Sequence, residues 1–353
     1  MKFGTMKFRI WLVVVIVSGL PVSQVLAEGA KPQKSSETVS QESQSRPSEN
    51  RPQDGFAWLN RIAKSAVETS FSGTYIHQYG PRMETSRIAH IADETGEQER
   101  LETLDGPLRE IVRKNDDLVC YFPDAKLMKL DRKRARKFFP ALLSDVAAIK
   151  ENYSAKLDGV DRVAGFDCQV VVVDPKDNLR FAHRFCAEVN SGLLLSATVL
   201  SERGDPVEQF AFTQVAIGSS VSRDLLKSTY ADKKNGWQTD KSALQEPRNT
   251  DSGWYVKSLP PGFKKIAEVK RAMPGRVEPV IQQVYSDGLA SVSAFIETAQ
   301  AGDKQQAGLL QQGSYNLYVR PLEDRSFTVK VLGEVPRASL QQIGNSLTNR
   351  SLH

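Results

Sequence analysis

Apolar positions keep a helical period early in the chain and a strand period over most of its remaining length. In "FAWLNRIAKSAVET", Leu59, Ile62, Ala63, Ala66 and Val67 fall on one helical face, and Asp54 stands ahead of them as an N-cap. Period-two runs then succeed one another: "FSGTYIHQY", "TSRIAHIA", "QERLETL", "LREIVRK", "DLVCYF", "LLLSATVL" and "VEQFAFTQV". Turn chemistry separates them at Asp105-Gly106-Pro107, Lys114-Asn115-Asp116-Asp117 and Arg203-Gly204-Asp205. Strands at short spacing after one helix predict a strongly curved antiparallel sheet wrapped partly around that helix. One stretch breaks the rhythm. "DRKRARKFFPALLSDVAAIK" has Pro140 suited to a first helical turn and Leu142, Leu143, Val146 and Ile149 on one face, so a short amphipathic helix across the open mouth of the sheet is expected.

The polar, aperiodic stretch from Ala231 to Ser252 is the best domain boundary in the chain. Beyond it, "WYVKSL", "PVIQQVY", "LASVSAFIE", "SYNLYVR" and "FTVKVLGE" read as strands, and a final helix begins near Pro336 with Leu340, Ile343 and Leu347 inward. Within this part, "VYSDGLASVSAFIE" is a hairpin around Asp287-Gly288 that carries nothing able to do chemistry.

The N-terminus changes the compartment. Lys2, Lys7 and Arg9 precede the apolar run "IWLVVVIVSGL", which is short for a membrane span, and "VLA" ends at Ala27, so a secretory signal cleaved after Ala27 is expected. The stretch from Glu28 is Ser, Gln, Glu and Pro with almost nothing apolar, which predicts a flexible leader over 28–54. The expected organisation is therefore 1–27 signal, 28–54 leader, 55–230 first domain, 231–252 linker and 253–350 second domain. Export to an oxidising compartment makes Cys168 and Cys186 candidates for a bridge, because a hairpin turning at Asp177 sets them directly opposite one another; buried thiols are the alternative, and Cys120 is left over.

Charge and motifs exclude more than they assign. The 47 basic and 42 acidic residues give +5, or +2 without the three basic residues of the signal, which is no nucleic-acid signature. The distribution is uneven: 24 basic and 25 acidic residues over Gly55–Tyr230, but 12 and 8 over Gly253–His353. Nucleophile elbows, zinc-protease motifs and phosphate loops are absent, and no CxxC or ligand-like histidine spacing implies a metal or cofactor. His77 and His90 sit singly in strands, where a half-buried polar role outweighs that of paired bases, and Glu99, Glu102, Asp105 and Glu110 flank a turn as solvated carboxylates. The run Arg132, Lys133, Arg134, Arg136 and Lys137 beside Phe138 and Phe139 suits either anionic headgroups with acyl chains or a solvated loop.

Several motifs carry a resemblance. "SFSGTYIHQYG", "METSRIAHI", "GEQERLETLDGPLREIVRKND" and "VCYFPD" resemble the N-terminal domain of the RseB/MucB family of periplasmic sigma-factor regulators, and "GWYVKSLPPGF", "VYSDGLASVSAFIE" and "VLGEVP" resemble its C-terminal domain. The resemblance implies an α+β protein: a half-open antiparallel β-barrel similar to the lipoprotein carriers LolA and LolB, with helices on its concave side, and a smaller C-terminal α+β domain. It also implies a non-enzymatic role, binding the periplasmic segment of an RseA/MucA-like anti-sigma factor and keeping the site-1 protease from it until lipid, lipopolysaccharide or a mislocalised lipoprotein intervenes. A lipid or lipoprotein carrier is the alternative, and an envelope hydrolase lacks a nucleophile and base. One departure is visible: "FCAEVNSGLLL" has Cys186 and Glu188 where relatives tend to have Trp and Asp.

On this reading Trp58, Ile62, Tyr75, Ile88, Phe122, Phe138, Phe139, Leu142 and Leu143 line a lipid cavity, with ordinary core packing as the alternative for each. Lys264, Lys265, Lys270, Arg271 and Arg276 complement an acidic partner segment, or are solvated loop. The oligomeric state, including self-association, stays open.

Overall fold

The computed structural model describes residues 54–132, 139–143, 145–218, 221–241, 251–271, 276–300, 307–322 and 326–350, without the side chain of Arg132. The expected signal, the leader up to residue 53, Lys133, Arg134, Arg136, Lys137 and Phe138 lie outside these residues.

Helix α1 runs Gly55–Glu68, and the Asp54 carboxylate accepts a hydrogen bond from the Ala57 amide at 2.8 Å, satisfying one of the donors that a helix start leaves free. Its buried face holds Trp58, Leu59, Ile62, Ser65 and Ala66, whereas Val67, expected inward, is 42% exposed. Position 67 falls one residue past the stripe that 58, 59, 62 and 66 define.

The first sheet is built from β1 (Phe71–Tyr79), β2 (Arg82–Asp93), β3 (Gly96–Thr103), β4 (Glu110–Lys114), β5 (Asp117–Phe122), β6 (Leu127–Arg132), β7 (Tyr153–Val163), β8 (Phe166–Pro175), β9 (Ala182–Glu188), β10 (Leu194–Leu200), β11 (Pro206–Ile217) and β12 (Gln238–Asp240). Its order is β12-β6-β5-β4-β3-β2-β1-β11-β10-β9-β8-β7, antiparallel except for the short parallel pairing of β12 with β6. The outermost strands β12 and β7 do not pair with each other, so the sheet is a half-open barrel, as expected. β12 comes from the stretch read as linker. Trp237, just before it, sits 6.2 Å from the Tyr121 ring and 5.9 Å from that of Tyr230, which holds this stretch on the sheet.

The expected helix after the basic run begins late. Residues 140–143 are non-helical, and α2 spans only Val146–Asn152, because Asp145 supplies the N-cap by accepting from the Ala148 amide at 3.0 Å. Pro140 therefore lies outside the helix, while Phe139, Leu143 and Ile149 are buried.

The second sheet orders β14 (Lys264–Arg271), β15 (Val280–Ser286), β16 (Ser291–Thr298), β19 (Phe327–Gly333), β18 (Tyr315–Pro321) and β17 (Gly308–Gln312). Helix α3 (Arg337–Ser346) buries Leu340 and Ile343, and Leu347 is buried in β20 (Leu347–Asn349), which pairs with β13 (Trp254–Val256). These residues form a core of their own with Trp254, Phe263, Val292, Ile296, Val329 and Val331.

Cys168 and Cys186 are joined by a disulfide, with Cα atoms 5.3 Å apart. They are not directly opposite: Cys168 pairs with Glu188 and Cys186 with Val170, so the bridge is diagonal and the hairpin turns one residue later than Asp177. Glu188 has its own task, accepting from the Asn190 and Ser191 amides at 3.0 and 2.6 Å to close the turn into β10. Replacing both cysteines by serine is expected to lower the unfolding free energy by about 3 kcal/mol for a loop of this length. The urea midpoint of the double variant, with and without reductant, measures it; a midpoint equal to that of the native chain would refute the bracing role.

Candidate functional site

The residues expected to line a cavity come together, but as a packed interior. Trp58, Ile62, Tyr75, Ile88, Phe139 and Leu143 belong to one buried cluster, and Leu142 packs against it half-buried. Phe122 is outside this cluster, with the Lys129 Nζ 5.8 Å from its ring centroid. At the centre lies Phe139, whose ring centroid is 5.1 Å from Tyr75, 5.6 Å from Phe210 and 5.0 Å from Phe212. Burial pushes the Tyr75 phenol up to about 12. The concave side of the half-barrel is thus filled by the chain's own aromatic rings.

A groove of about 360 Å³ opens on the other side of the sheet. Ser72 and Thr74, which line it, alternate along β1 with the inward Phe71 and Tyr75, and their cross-strand partners Ala89, Arg87, Ala216 and Gln214 line it too. Of the expected cavity residues that are described, only Ile88 contributes to it. The carboxylates near the β3–β4 turn are structural: Glu110 is fully buried, accepting from Arg100 Nε at 2.5 Å, Ser228 Oγ at 2.5 Å and the Thr229 amide at 2.9 Å, which corrects its reading as solvated. Glu102 accepts from Arg100 at 3.1 Å, Glu99 lies 3.8 Å from Arg113, and Asp105 accepts from the Thr85 amide at 2.8 Å. His77 and His90 are not brought together, for His77 lies opposite Phe210 near one end of β1 while His90 lies opposite Phe71 at the other.

The hairpin of the second sheet reaches into the first. β15 and β16 are joined by four residues, Asp287 to Ala290, a longer loop than an isolated Asp-Gly turn suggests. Leu289 from this tip is buried in the interior of the first sheet. Asp287 Oδ1 accepts from the Leu289 and Ala290 amides at 3.0 and 2.8 Å, which shapes the loop. Its Oδ2 accepts from Arg180 Nε at 2.7 Å and from the Tyr153 hydroxyl at 3.1 Å. Arg180 and Asp287 are both wholly withdrawn from water. The guanidinium also donates to Asp177 and to the Pro261 carbonyl, and it lies 5.2 Å from the Phe263 ring, so the "LPPGF" stretch forms part of its socket. Burial by itself lowers the Arg180 pKa, and the hydrogen bonds with Asp177 and Asp287 outweigh it, so the net direction is upward. Burial, followed by the Asp287 charge, raises Tyr153 well above its usual range, which keeps its proton on as a donor.

A second bridge lies at the β17–β18 turn. Ser314 donates to Glu208, whose other oxygen is 2.6 Å from His77 Nε2. The His77 ring stacks on Phe210 at 4.0 Å. Ser339 of α3 adds a hydrogen bond to the Leu179 carbonyl at 2.5 Å.

None of Arg180, Asp287, Tyr153, Glu208 or Ser314 stood out in the sequence, where they read as turn and strand residues. Of the expected partner contacts, Lys264, Lys270 and Arg271 are exposed on the edge strand β14; Lys265, exposed too, donates to Glu268 at 2.6 Å, while Arg276 is tied to Glu297.

Comparison with known proteins places the chain. The model of the MucB/RseB N-terminal domain matches residues 54–230, and that of the MucB/RseB C-terminal domain matches residues 248–348. The chain belongs to the MucB/RseB family. It is 31% identical over 306 residues to the sigma factor AlgU regulatory protein MucB of Pseudomonas aeruginosa, covering 83% of this chain and 90% of that protein. The sigma-E factor regulatory protein RseB of Haemophilus influenzae is 24% identical, over 81% of this chain and 88% of its own length. Among solved structures, MucB in complex with MucA(peri) aligns over 84% of this chain and 99% of that chain, with 28% identity and a TM-score of 0.68. A crystal structure of MucB aligns over 83% and 97%, with 28% identity and a TM-score of 0.59. The cationic edge strand and the interlocked hairpin are thus features of a member of this regulatory family.

Removing one partner of the buried pair leaves a bare charge. Asp287→Ala is expected to cost about 3–5 kcal/mol, whereas Arg180→Met combined with Asp287→Leu loses less than the sum of the single changes. Denaturant unfolding of Asp287→Ala, of Arg180→Met and Asp287→Leu singly, and of their combination measures this, and strict additivity would contradict the pairing.

Proposed function

We propose that the chain is an exported, non-enzymatic regulator of an envelope-stress sigma factor. After loss of its signal at Ala27 it acts in the periplasm, binding the periplasmic segment of a membrane-spanning RseA/MucA-like anti-sigma factor and shielding it from the site-1 protease. Engagement of the first domain by an acyl chain of lipid, lipopolysaccharide or mislocalised lipoprotein releases that segment. The observation that carries this reading is membership of the MucB/RseB family across both domains, with a relative of 28% identity crystallised with MucA(peri).

Surface chemistry and energetics support two parts of it. β14 is an edge strand whose backbone is paired on one side only, and Lys264, Lys265, Lys270 and Arg271 surround it, a surface suited to an extended acidic segment. The energy that release requires is small: a tenfold shift is about 1.4 kcal/mol, the transfer of roughly two methylenes, so one acyl chain suffices if it prefers one arrangement of the protein. A carrier working through the first domain alone fits less well, because that domain shares a buried ion pair with the second.

The mature chain is expected to bind a purified RseA/MucA-like periplasmic segment and to slow its cleavage by the site-1 protease. Reversing the charge at Lys264, Lys270 and Arg271 should reduce the association rate about tenfold and flatten its salt dependence. Failure of the native chain to bind any such segment would overturn the function; equal rates for native and variant chains would remove β14 from the binding surface.

A further inference from the structure

Phe139 occupies a singular position. It lies in the aromatic interior of the half-barrel and is also the common origin of two paths into the second sheet. The first follows the chain. From the buried Phe139 and Leu143 it runs to Asp145, which caps α2, and against this cap and the first turn of α2 rests the tip of the β15–β16 hairpin. A Cβ on Gly288 would lie 2.9 Å from the Asp145 carbonyl oxygen and 3.0 Å from the Ala148 Cβ, so hairpin and helix start touch with no room between them. The second path is a stack of rings. Phe139 lies parallel to Phe210 within 7°, Phe210 lies parallel to His77 within 10°, His77 Nε2 is 2.6 Å from Glu208, and Glu208 accepts from Ser314.

We propose that Phe139 is an internal occupant of the pocket formed by Tyr75, Phe210 and Phe212, and that its displacement by an acyl chain is transmitted to the second sheet through Asp145–Gly288 and through His77–Glu208–Ser314. The mechanism rests on the lipid-release reading above and names the ring and contacts that execute it. A ring and an alkyl chain compete for the same apolar space, so an alkyl chain enters this interior only as the ring leaves it. Withdrawal of Phe139 shifts the residues leading to Asp145, which loosens the seat of Gly288. It also removes the partner that stacks Phe210 against His77, which loosens Glu208. Interiors packed this closely pass from one arrangement to another instead of deforming gradually, so a displacement at the ring reaches both contacts.

Amide hydrogen exchange on the full mature chain tests this, with monomeric dodecylphosphocholine as the probe. Saturating probe should speed exchange about tenfold at Leu289 and Ala290, whose amides are held by Asp287, and near Ser314, while β8 and β9 stay protected. Phe139→Ala should reproduce that pattern without probe and bind the probe about tenfold more tightly, since no ring must leave. Coupling free energies are reciprocal, so Gly288→Ala, which crowds Asp145 from the far end, should also tighten probe binding. Probe that saturates the native chain while exchange at both contacts is unchanged would overturn the proposal, as would a folded Phe139→Ala chain with native exchange at both. If neither native chain nor variant binds probe while Phe139→Ala still loosens both contacts, the coupling stands and the lipid reading falls.

Discussion

A guanidinium wholly withdrawn from water loses several kcal/mol of hydration, and it stays in a protein interior only where acceptors surround it. Arg180 meets this condition with groups from both halves of the chain: Asp177 from its own turn, Asp287 from the hairpin and the carbonyl of Pro261, with its guanidinium carbon over the Phe263 and Tyr153 rings at 5.2 and 5.7 Å. Asp287 is equally dependent, since Arg180, Tyr153 and two amides of its own loop use its oxygens. Neither side of the interface can be completed alone. Such a pair adds little net stability over an apolar substitute, and in this structure it accompanies Leu289 seated in the first interior and Gly288 on the start of α2.

The closed interior of the half-barrel gives this junction its meaning. A carrier requires a vacant cavity, whereas here Tyr75, Phe139, Phe210 and Phe212 fill the space in edge-on, tilted and stacked contacts. A regulator benefits from such filling, because a ligand that must expel a side chain changes the protein by entering it. In the proposal above the side chain expelled is that of Phe139, which leads to two of the places where the second sheet touches the first, Gly288 on Asp145 and Ser314 on Glu208. Under the proposed function, recognition of a protein client on β14 and of an acyl chain inside the half-barrel would be two readings of one equilibrium.

Strand after strand was legible where one face is buried and the other wet. The runs at 71–79 and 117–122 coincide with β1 and β5, because Phe71, Tyr75 and Tyr121 mark buried positions among less buried ones. Edge strands escaped for the converse reason: β7, β14 and β17 are mostly exposed, so no alternation distinguishes "YSAKLDGVDRV", "KKIAEVKR" or "GLLQQ" from loop. The start of α2 was misplaced because Pro140 suits a first turn by composition, while the cap that decides it is Asp145. The cysteines were recognisable as cross-strand neighbours, but a one-residue displacement of the turn makes their bridge diagonal. The candidate site was legible in membership and not in role. Trp58, Ile62, Tyr75 and Phe139 do gather, yet that they fill the cavity depends on Phe210 and Phe212 arriving from a distant strand. The Arg180–Asp287 contact spans 107 residues of sequence, and each partner alone resembles any polar residue in a turn.

The most direct test of the account is the affinity of the mature chain for an RseA/MucA-like periplasmic segment, measured at equilibrium with and without saturating dodecylphosphocholine. Coupling between the filled half-barrel and the second sheet predicts that the amphiphile weakens this affinity at least tenfold in the native chain, about 1.4 kcal/mol or more. An affinity that stays the same across saturation would contradict it.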